Sequence, residues 1–480
     1  MGINAEINAI HQCSMRILED MGIRMHCPTS LAALKGAGFQ VDGDVVRFRE
    51  SQIMPLVEQA PAQINFTAAH PDHHVKIGGN HCEFLPGYGI PLIREADGTN
   101  RYATPRDFST ILKLFEASDL FHFNGLTVHP EGLPADWAAS LMLLDMLRLS
   151  QKNLLLPMGS EKELPVMFKI LEHWYGALEE TPRVTTIINT LSPLQISGDT
   201  LKNLLAFAQH GQPMIFTGGV MAGSSGPITA AGAMAMGNAE SLAAIALAQV
   251  VRPGTPVIYG VSIPATDMAN GSWALCGPER TKSIQQLSKA LAEFYGLPTR
   301  NNGCVCDAHG MNIQAGAESM ASLMAAQNAG INMHMYSAGT ISSCSVFSYE
   351  KFITDLDILS WIRNFERPVE ITDETLAFDT IKTVGIGGEF LTQPHTFAHC
   401  RAMWQSQSWV HRNSNPEIDA DAELIQRCRK GVDDLLAAYQ APDMDIQAHQ
   451  EAQTLLEQAA SGLKYTDYFS DTKEMNHVTI

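Results

Sequence analysis

The chain has 480 residues, 45% of them hydrophobic, so it can bury one large core or two to three average domains. Acidic residues outnumber basic ones by 51 to 32, a formal net charge of −19, which argues against a nucleic-acid partner and fits a cationic ligand. The nine cysteines are dispersed without a Cys-x-x-Cys pair, so free thiols are expected.

Apolar stretches are interrupted by Gly, Asn or charge before they reach the length of a membrane span. Met1 is not followed by a basic and then an apolar segment, the pattern of a secretion signal. We therefore expect a cytoplasmic protein with no membrane partner.

Residues 1–103 predict a small α+β extension. Ala5 to Met21 has apolar residues at helical spacing and is closed by Gly22. Short turn-rich pieces follow, and two of them contain the Asp-Gly pairs of tight turns.

From Thr104 onward the pattern alternates between strand and helix. Thr104, Pro105 and Asp107 predict a helix start, with a cap, a proline in the first turn and an acid at the third position. Strands are predicted at Phe121–Val128, Asn153–Met158, Val184–Asn189, Met214–Thr217, Val257–Gly260, Arg300–Val305 and Ile331–Tyr336. Helices are predicted between them at Asp136–Leu149, Thr200–Gln209, Ala230–Val250, Arg280–Tyr295 and Gln314–Asn328.

Seven consecutive strand–helix units favour a (β/α)8 TIM-type barrel over an open sheet, and we assign it to residues 104–412. The eighth strand is expected around Gly385–Leu391 or out of sequence. Residues 413–480 predict C-terminal helices, Asp419–Gln440 and Ile446–Gly462, and a loosely held tail.

Four loops after predicted strands are long, or rich in Gly, Ser and Asn: 218–226, 261–278, 306–313 and 337–347. Purely connecting loops are usually shorter. Barrel enzymes carry their chemistry where the strands end, so we expect these loops to form one rim around an active site.

Several ordered stretches resemble the trimethylamine methyltransferase (MttB-type) superfamily over about residues 6–412. They are INTLSPL (188–194), the long run 226–260 beginning GPITAAGAMAMGNAE, TDMANG with GPE (266–279), YGLPTR (295–300), SYEKFITDLDIL (348–359) and PHTFAHCRAMW (394–404). Each is weak alone, but their order and spacing are specific.

The resemblance implies methyl transfer from an amine to a cognate corrinoid protein. In trimethylamine enzymes of this family the region around 332–359 carries pyrrolysine, whereas here ordinary residues fill the loop from Ser337 to Phe347. The expected substrate is therefore a quaternary amine such as glycine betaine. We expect no tightly bound cofactor, since the corrinoid (cobalamin) would be carried by the partner protein, and we expect a homo-oligomer.

A quaternary cation has no N–H to donate, so aromatic faces should hold it. Candidates at strand ends or their loops are Tyr88, Phe216, Tyr259, Trp273, Tyr336 and Phe347. Trp273, Tyr336 and Phe347 come from different loops or strand ends, so they could converge on one cation. Core packing is the alternative for each ring.

Polar candidates lie in the same loops. Asp267, Glu279 and Glu350 are the predicted catalytic carboxylates, although Glu350 could equally cap its helix. Asp307 and His334 are predicted substrate contacts, and Arg280 or Arg300 could bind a substrate carboxylate. His395 and His399 have the spacing of a metal pair, but no HExxH or Cys-x-x-Cys accompanies them, so no metal is expected.

Two other functions fit the same fold. A barrel lyase or aldolase would need a Schiff-base lysine, and the four loops contain none, since Lys351 lies in the following helix. A betaine-binding protein without catalysis would bind the amine but would not methylate a reduced corrinoid.

Overall fold

The computed structural model describes residues 3–410 and 419–469. Eight short strands form its centre: β1 (Glu83–Phe84), β2 (Phe123–Gly125), β3 (Asn153–Leu155), β4 (Val184–Asn189), β5 (Met214–Thr217), β6 (Val257–Tyr259), β7 (Arg300–Asn302) and β8 (Met333–Met335). The last seven lie inside the seven predicted ranges.

The eight strands close into a parallel barrel. β2 to β6 pair in chain order, β7 pairs with β8, and β8 pairs with β1 through Met333↔Glu83 and His334↔Phe84. Two single parallel bridges, Phe84↔Phe121 and Tyr259↔Thr299, complete the ring. The predicted (β/α)8 architecture is confirmed.

The eighth strand is Glu83–Phe84, the first in the chain, and the expectation for residues 385–391 is wrong. Two residues, one of them charged, give no readable strand pattern. The ring therefore begins before residue 104, inside the range predicted as the N-terminal extension. The division into three domains otherwise stays a prediction, and its boundary at 412–413 lies outside the described residues.

Helices on the outside follow the strands: α1 (Pro105–Ala117), α2 (Ala138–Leu149), α3 (Leu164–Tyr175), α4 (Gly198–Gln209), α5 (Ala230–Val251), α6 (Pro278–Ser283, Ile284–Ser288 and Lys289–Phe294 in succession), α7 (Ile313–Asn328) and α8 (Tyr349–Phe365). The predicted start of α1 is confirmed by a reciprocal capping box between Thr104 and Asp107.

The barrel interior is apolar at its lower levels. Seven of the eight strand regions contribute at least one apolar side chain to the interior: Leu85, Phe123, Leu155, Ile187, Ile215, Ile258, Met333 and Met335. A hairpin of Ile64–Phe66 and Val75–Ile77 inserts Phe66 and Ile77 into the same cluster. This hairpin fills the end of the barrel where the strands begin.

The N-terminal extension packs on the outside of the barrel. Its helices Ile3–Arg16 and Glu50–Val57 lie against α5, as does helix Pro28–Gly36. Its strands are Ile23–Met25, Gln40–Asp42 and Val45–Arg47, and Ile23–Met25 also pairs with Gln195–Ile196. Helix α5 is long and apolar enough to cross a membrane by composition, but 89% of its apolar window is buried in this packing.

Four short strands lie at the end of the barrel where the chain leaves β8. Val346–Phe347 pairs with Thr340–Ile341 on one side and Leu92–Arg94 on the other, and Leu92–Arg94 pairs with Asn100–Tyr102. Ala265–Thr266 and Trp273–Ala274 form a separate hairpin after β6.

The C-terminal helices brace the helical layer. Ala420–Ala438 packs on α8 and α1, and Ile446–Ala459 packs on α3 and α2. Tyr465 is buried and its hydroxyl bonds Asp145 at 2.7 Å. Part of the predicted tail is thus firmly packed, and residues 470–480 lie outside the described part.

Between α8 and these helices the chain forms a projecting segment, which we call the arm (residues 366–403). It contains the short helices Asp373–Leu376, Phe378–Val384 and Pro394–His399 and the helical turn Cys400–Ala402. No residue from Arg363 to Gln407 is buried.

Candidate active site

The four predicted loops form one hydrogen-bonded rim at the carboxyl ends of the strands. Ala222 pairs with Ala265, which joins the 218–226 and 261–278 loops. Asp307 accepts hydrogen bonds from the backbone N–H groups of Leu275 and Cys276 at 3.0 and 2.8 Å. Ser343 donates to Asp307 at 2.7 Å and thereby adds the 337–347 loop.

A ring of polar side chains lies inside the barrel just below this rim. Strand side chains alternate between the two faces, so Asn189 and Thr217 follow the interior Ile187 and Ile215 onto the same face. The Thr217 hydroxyl bonds the Asn189 amide oxygen, which confirms that they meet.

Asn302 completes the ring from β7. Its neighbour Asn301 faces outward and lies 3.4 Å from the Ser288 hydroxyl of α6, so Asn302 and Arg300 face inward. Asn189, Thr217 and Asn302 are not among the site residues predicted from the sequence. The strand pattern could have identified them, because Asn189 and Thr217 each end a predicted strand and Asn302 lies two residues beyond the inward-facing Arg300.

Two arginines are buried at the mouth of the barrel. Arg300 enters from β7 and Arg280 from the first turn of α6, and each is at least 94% inaccessible to solvent. Nε and one terminal nitrogen of Arg280, and Nε of Arg300, have no hydrogen-bond partner among the described residues. The contact of Arg280 with the Ser262 hydroxyl is long, at 3.4 Å.

The pKa shifts of the two arginines indicate that their positive charges are poorly compensated. Burial, with a contribution from the nearby charge of Arg280, lowers the pKa of Arg300 to about 10. Burial also lowers the pKa of Arg280, and the nearby charge of Asp307, which forms no ion pair with it, offsets this only in part. No carboxylate of the described chain forms an ion pair with either guanidinium. Uncompensated buried cations are costly, so the arrangement favours a bound anion.

Two tyrosines lie beside the arginines. The Arg300 guanidinium is 5.9 Å from the centre of the Tyr336 ring. The Tyr336 hydroxyl donates to the backbone oxygen of Tyr88 at 3.2 Å, and both rings pack against the interior cluster. Tyr88 in turn donates to the Leu156 carbonyl at 3.1 Å, and burial raises its pKa to about 12. Both hydroxyls therefore remain protonated near neutrality.

The loop after β8 bends sharply above Arg280 and Arg300. Ser342, Ser343 and Cys344 all have positive φ, between 52° and 66°, which non-glycine residues adopt at a cost. Burial raises the pKa of Cys344 to about 12, while the charges of Arg280 and Arg300 lower it. Cys344 is thus a neutral thiol beside the guanidinium pair.

The predicted carboxylates do not converge on the mouth. Asp267 caps its own hairpin by accepting from the Ala269 N–H at 2.8 Å, and Glu279 is exposed. Glu350 lies on α8 and pairs with Arg429 at 3.3 Å. Asp307 joins three loops, as described above. These contacts are structural ones, and catalytic roles for Asp267, Glu279 and Glu350 stay predictions.

Several other predicted residues face away from the barrel axis. Phe216 and Tyr259 alternate with the interior Ile215 and Ile258, and the Tyr259 hydroxyl bonds Asn238 of α5 at 2.9 Å. His334 alternates with Met333 and Met335 and lies beside Phe84. The sequence could not fix which face of each strand would point inward, so these side chains were assigned to the mouth.

The predicted cage of Trp273, Tyr336 and Phe347 is not formed as a ring cluster. Phe347 is fully buried and contacts the rings of Tyr349 and Phe352. Trp273 is half exposed on the rim, and no described ring lies against it. Of the six aromatic candidates, Tyr88 and Tyr336 are the ones that the structure brings together.

One group of possible metal ligands occurs among the described residues. Atoms of Cys276, Asp307 and Glu318 lie within 4.8 Å of one another. The Asp307 oxygens already accept three hydrogen bonds, and burial raises the pKa of Cys276, so its thiol is protonated. The group therefore joins the loops, and the absence of a metal stays a prediction.

Comparisons with known proteins identify the family of the chain. The model of the family described as trimethylamine methyltransferase (MTTB) matches residues 3–461. A glycine betaine methyltransferase of Desulfitobacterium hafniense (strain Y51) is 34% identical over 458 residues, which cover 94% of this chain and 95% of that protein. A proline betaine:corrinoid methyltransferase of Eubacterium limosum is 28% identical over 92% of this chain and 93% of that protein.

A solved structure supports the fold. The Methanosarcina barkeri monomethylamine methyltransferase superposes with a TM-score of 0.51 at 12% identity, covering 89% of this chain and 87% of that one. At this identity the likeness concerns the barrel architecture alone.

Proposed function

The chain belongs to the trimethylamine methyltransferase (MTTB) family, and on that basis we propose that it transfers a methyl group from a betaine to the reduced corrinoid of a separate carrier protein. The substrate would be a quaternary amine that also carries a carboxylate, of the glycine betaine type. The chain is then a methyltransferase with two substrates, the betaine and the loaded carrier.

The observation that carries this proposal is the pair of buried guanidiniums. A simple methylamine cation would be repelled by Arg280 and Arg300, whereas the carboxylate of a betaine would supply the anion that both lack. The planar fork of an arginine matches a carboxylate better than any other side chain does.

The other end of the substrate would lie among Tyr88, Tyr336 and the Asn189–Thr217–Asn302 ring. Aromatic faces and amide oxygens are suited to a cation that cannot donate a hydrogen bond. Because the positive charge disappears as the methyl group leaves, a carboxylate against the nitrogen would stabilise the ground state more than the transition state. None of the described acids forms such a contact from inside the ring.

The reaction needs no proton transfer by this chain. The carrier's corrinoid would be the second substrate: its cobalt(I) would supply both electrons of a new Co–CH3 bond and become methylcobalt(III), while the electrons of the broken N–CH3 bond would stay on nitrogen, which leaves as a neutral tertiary amine. The chain's own task is to orient the amine and exclude water, which fits a mouth without an acid–base pair. The exposed apolar side chains of Leu191, Ile228, Met268, Trp273 and Ile313 on the rim would receive the carrier.

An aldolase function is disfavoured by the state of Lys351. Its ammonium group lies outside the barrel wall, bonds Ser319 at 2.9 Å and pairs with Asp355, a contact that raises its pKa despite burial. A Schiff base requires a free amine. Cytoplasmic location, and the absence of nucleic-acid and membrane partners, remain part of the proposal.

The test is methyl transfer to free cob(I)alamin with glycine betaine, proline betaine and trimethylamine as donors. We expect methylcobalamin and the demethylated amine from a betaine and none from trimethylamine. Binding of a betaine without methyl transfer to cobalamin or carrier would indicate the binding-protein alternative. Transfer from trimethylamine alone would contradict the proposal.

A further inference from the structure

The loop after β4, residues 190–194, is fastened by a buried acid of α5. Glu240 is fully buried, and its carboxylate accepts hydrogen bonds from the Thr190 hydroxyl, from the Ser192 hydroxyl at 2.7 Å and from the Leu194 N–H at 2.8 Å. Burial raises the pKa of Glu240, and no cation of the described chain offsets this. A buried carboxylate without a cation is costly, so the fold retains this acid at the expense of stability.

Two glycines let α5 approach the rim closely enough for this contact. A Cβ on Gly218, in the loop after β5, would lie 2.8 Å from the Cα of Gly237 in α5. Glu240 follows Gly237 by three residues, so both lie on the same face of the helix. That face is turned to the barrel wall, which brings the carboxylate to the loop after β4.

Thr190 connects this acid to the neighbouring loop. Its hydroxyl donates to Glu240 and accepts from the Gly219 N–H at 2.9 Å, while its own N–H donates to the Thr217 carbonyl at 3.1 Å. A carboxylate can only accept, so the Thr190 proton is committed to Glu240 and the hydroxyl oxygen is left to accept from Gly219. The chain segments that follow β4 and β5 are therefore tied together through one hydroxyl.

The two residues fixed in this way belong to the polar ring inside the mouth. Asn189 precedes Thr190, Thr217 lies two residues before Gly219, and the Thr217 hydroxyl donates to the Asn189 amide oxygen. Asn189 is exposed, whereas Thr190 and Glu240 are buried. Glu240 can therefore act on a bound substrate only through the residues that it holds.

We propose that Glu240 is a positioning residue for methyl transfer, which holds the Asn189–Thr217 pair where it aligns the N-methyl group with the incoming cobalt. This role rests on the proposed function, because the pair would lie at the ammonium end of the betaine. The carboxylate end would be held by Arg280 and Arg300, which belong to α6 and β7. Loss of Glu240 should therefore slow the transfer step and leave the affinity for betaine nearly unchanged.

The test compares the parent chain with Glu240→Gln, a variant of the same size. An amide presents NH2 on one side, so it cannot accept from both the Leu194 N–H and the two hydroxyls. With glycine betaine and free cob(I)alamin, kcat should fall about 10–100-fold, since a displacement of about 1 Å can cost on the order of 100-fold. The dissociation constant of betaine, measured by calorimetry without a corrinoid, should change less than about threefold.

Thr190 supplies a matched pair of variants. Thr190→Val keeps the shape of the side chain but removes the hydroxyl, so kcat should fall as it does in Glu240→Gln. Thr190→Ser keeps the hydroxyl, and its kcat should stay within about threefold of the parent value. The double variant Glu240→Gln/Thr190→Val should be no slower than the slower single variant, because both changes break the same connection.

Glu163→Gln is the control for the loss of a buried acid. Glu163 is buried, burial raises its pKa, and it accepts from the Ser160 and Ser140 N–H groups at 2.8 and 2.9 Å. These donors lie near the starts of α3 and α2 and hold no residue of the polar ring. The control should lower the melting temperature, as Glu240→Gln does, but leave kcat unchanged.

Three results would overturn the proposal: a kcat of Glu240→Gln equal to that of the parent, a kcat and an affinity that fall together, or a Thr190→Ser variant as slow as Thr190→Val. Amide hydrogen exchange at Gly219 needs neither amine nor corrinoid and should be faster in Glu240→Gln and Thr190→Val, and unchanged exchange would also contradict the connection. An inactive parent would contradict the proposed function and this role with it. An active parent with an equally active variant would contradict the role of Glu240 alone.

Discussion

The mouth of the barrel and the arm expose apolar surface in different ways. At the mouth, exposed side chains such as Met268 and Trp273 stand on loops that are hydrogen-bonded to one another, above two buried arginines. In the arm, ten apolar side chains are exposed with no buried residue beneath them. The first arrangement is held together within the chain, as a transient docking site must be, whereas the second has no packed layer beneath its exposed side chains.

The largest effect is expected for Arg300→Met, which removes the charge at the mouth and keeps most of the length. Hydrogen bonds to a charged group contribute about 1.5–3 kcal/mol each, so losing a two-pronged contact should lower kcat/KM for glycine betaine by on the order of 10²–10⁴. Turnover of tetramethylammonium, which has no carboxylate, should not fall. Steady-state kinetics with both amines would measure this.

The control for this change is Arg367→Met in the exposed arm, which should leave both activities unchanged. Melting of Arg300→Met should occur at the same or a higher temperature, since the variant loses a buried and uncompensated charge. An unaltered kcat/KM for betaine would place the carboxylate elsewhere.

His334→Leu tests whether His334 is a structural residue of the barrel wall or a substrate contact at the mouth. Burial lowers the pKa of His334 to about 4 from 6.5, so between these values the unfolded chain binds a proton that the native chain does not. The free energy of unfolding therefore decreases by on the order of 3 kcal/mol as pH falls from about 6.5 to 4, because the unfolded chain takes up a proton at His334 and the native chain does not.

In the variant, the loss of unfolding free energy between pH 7 and pH 4.5 should be smaller by about 2–3 kcal/mol, as measured by urea denaturation. His73 is partly buried, its pKa is also lowered to about 4, and it will retain some acid sensitivity. His81→Leu, at an exposed position, is the control. A large increase in KM for betaine would instead return His334 to the substrate site.

Asp357→Ala tests whether Asp357 of α8 fastens the base of the arm. The buried Ser408 and the partly buried Ser406 would lose the acceptor of their hydrogen bonds, at a cost of about 2 kcal/mol in unfolding free energy. Limited proteolysis within residues 363–407 should become faster, while methylation of free cob(I)alamin persists. Asp373→Ala, an exposed acid of the arm, should do none of these things.

The smallest effect is expected at the rim. Met268→Asp/Ile313→Asp should raise KM for the carrier protein about 3–10-fold, which corresponds to roughly 1 kcal/mol of docking energy. The rate with free cob(I)alamin and KM for betaine should remain those of the parent. Equal effects on carrier and free corrinoid would mean that these side chains act inside the mouth and not on docking.

Most of the fold could be read from the sequence, because apolar strands such as Met214–Thr217 are bounded by clear helices. Glu83–Phe84 could not, since two residues have no periodicity. Tyr88 and Tyr336 were placed at the mouth as residues at strand ends or in their loops, whereas Arg280 and Arg300 were chosen because a guanidinium can bind a substrate carboxylate.

Which of the other strand residues face the site depends on the register between neighbouring strands. That register is fixed by closure of the barrel. A shift of one residue exchanges the two faces of a strand. Phe216, Tyr259 and His334 therefore looked as eligible as Thr217 and Asn302 until their neighbours were known. The arm was harder to anticipate, because exposure of an apolar residue is not encoded in its local pattern.

The hairpin of Ile64–Phe66 and Val75–Ile77 has a consequence for the order of events in turnover. It fills the far end of the barrel, so small molecules enter and leave through the mouth. With the proposed function, a docked carrier would stand in that passage. The betaine would have to bind before the carrier arrives, and the tertiary amine could depart only after the carrier has gone. Because the hairpin closes one end of the barrel, binding and release at the open end would have to follow a fixed order.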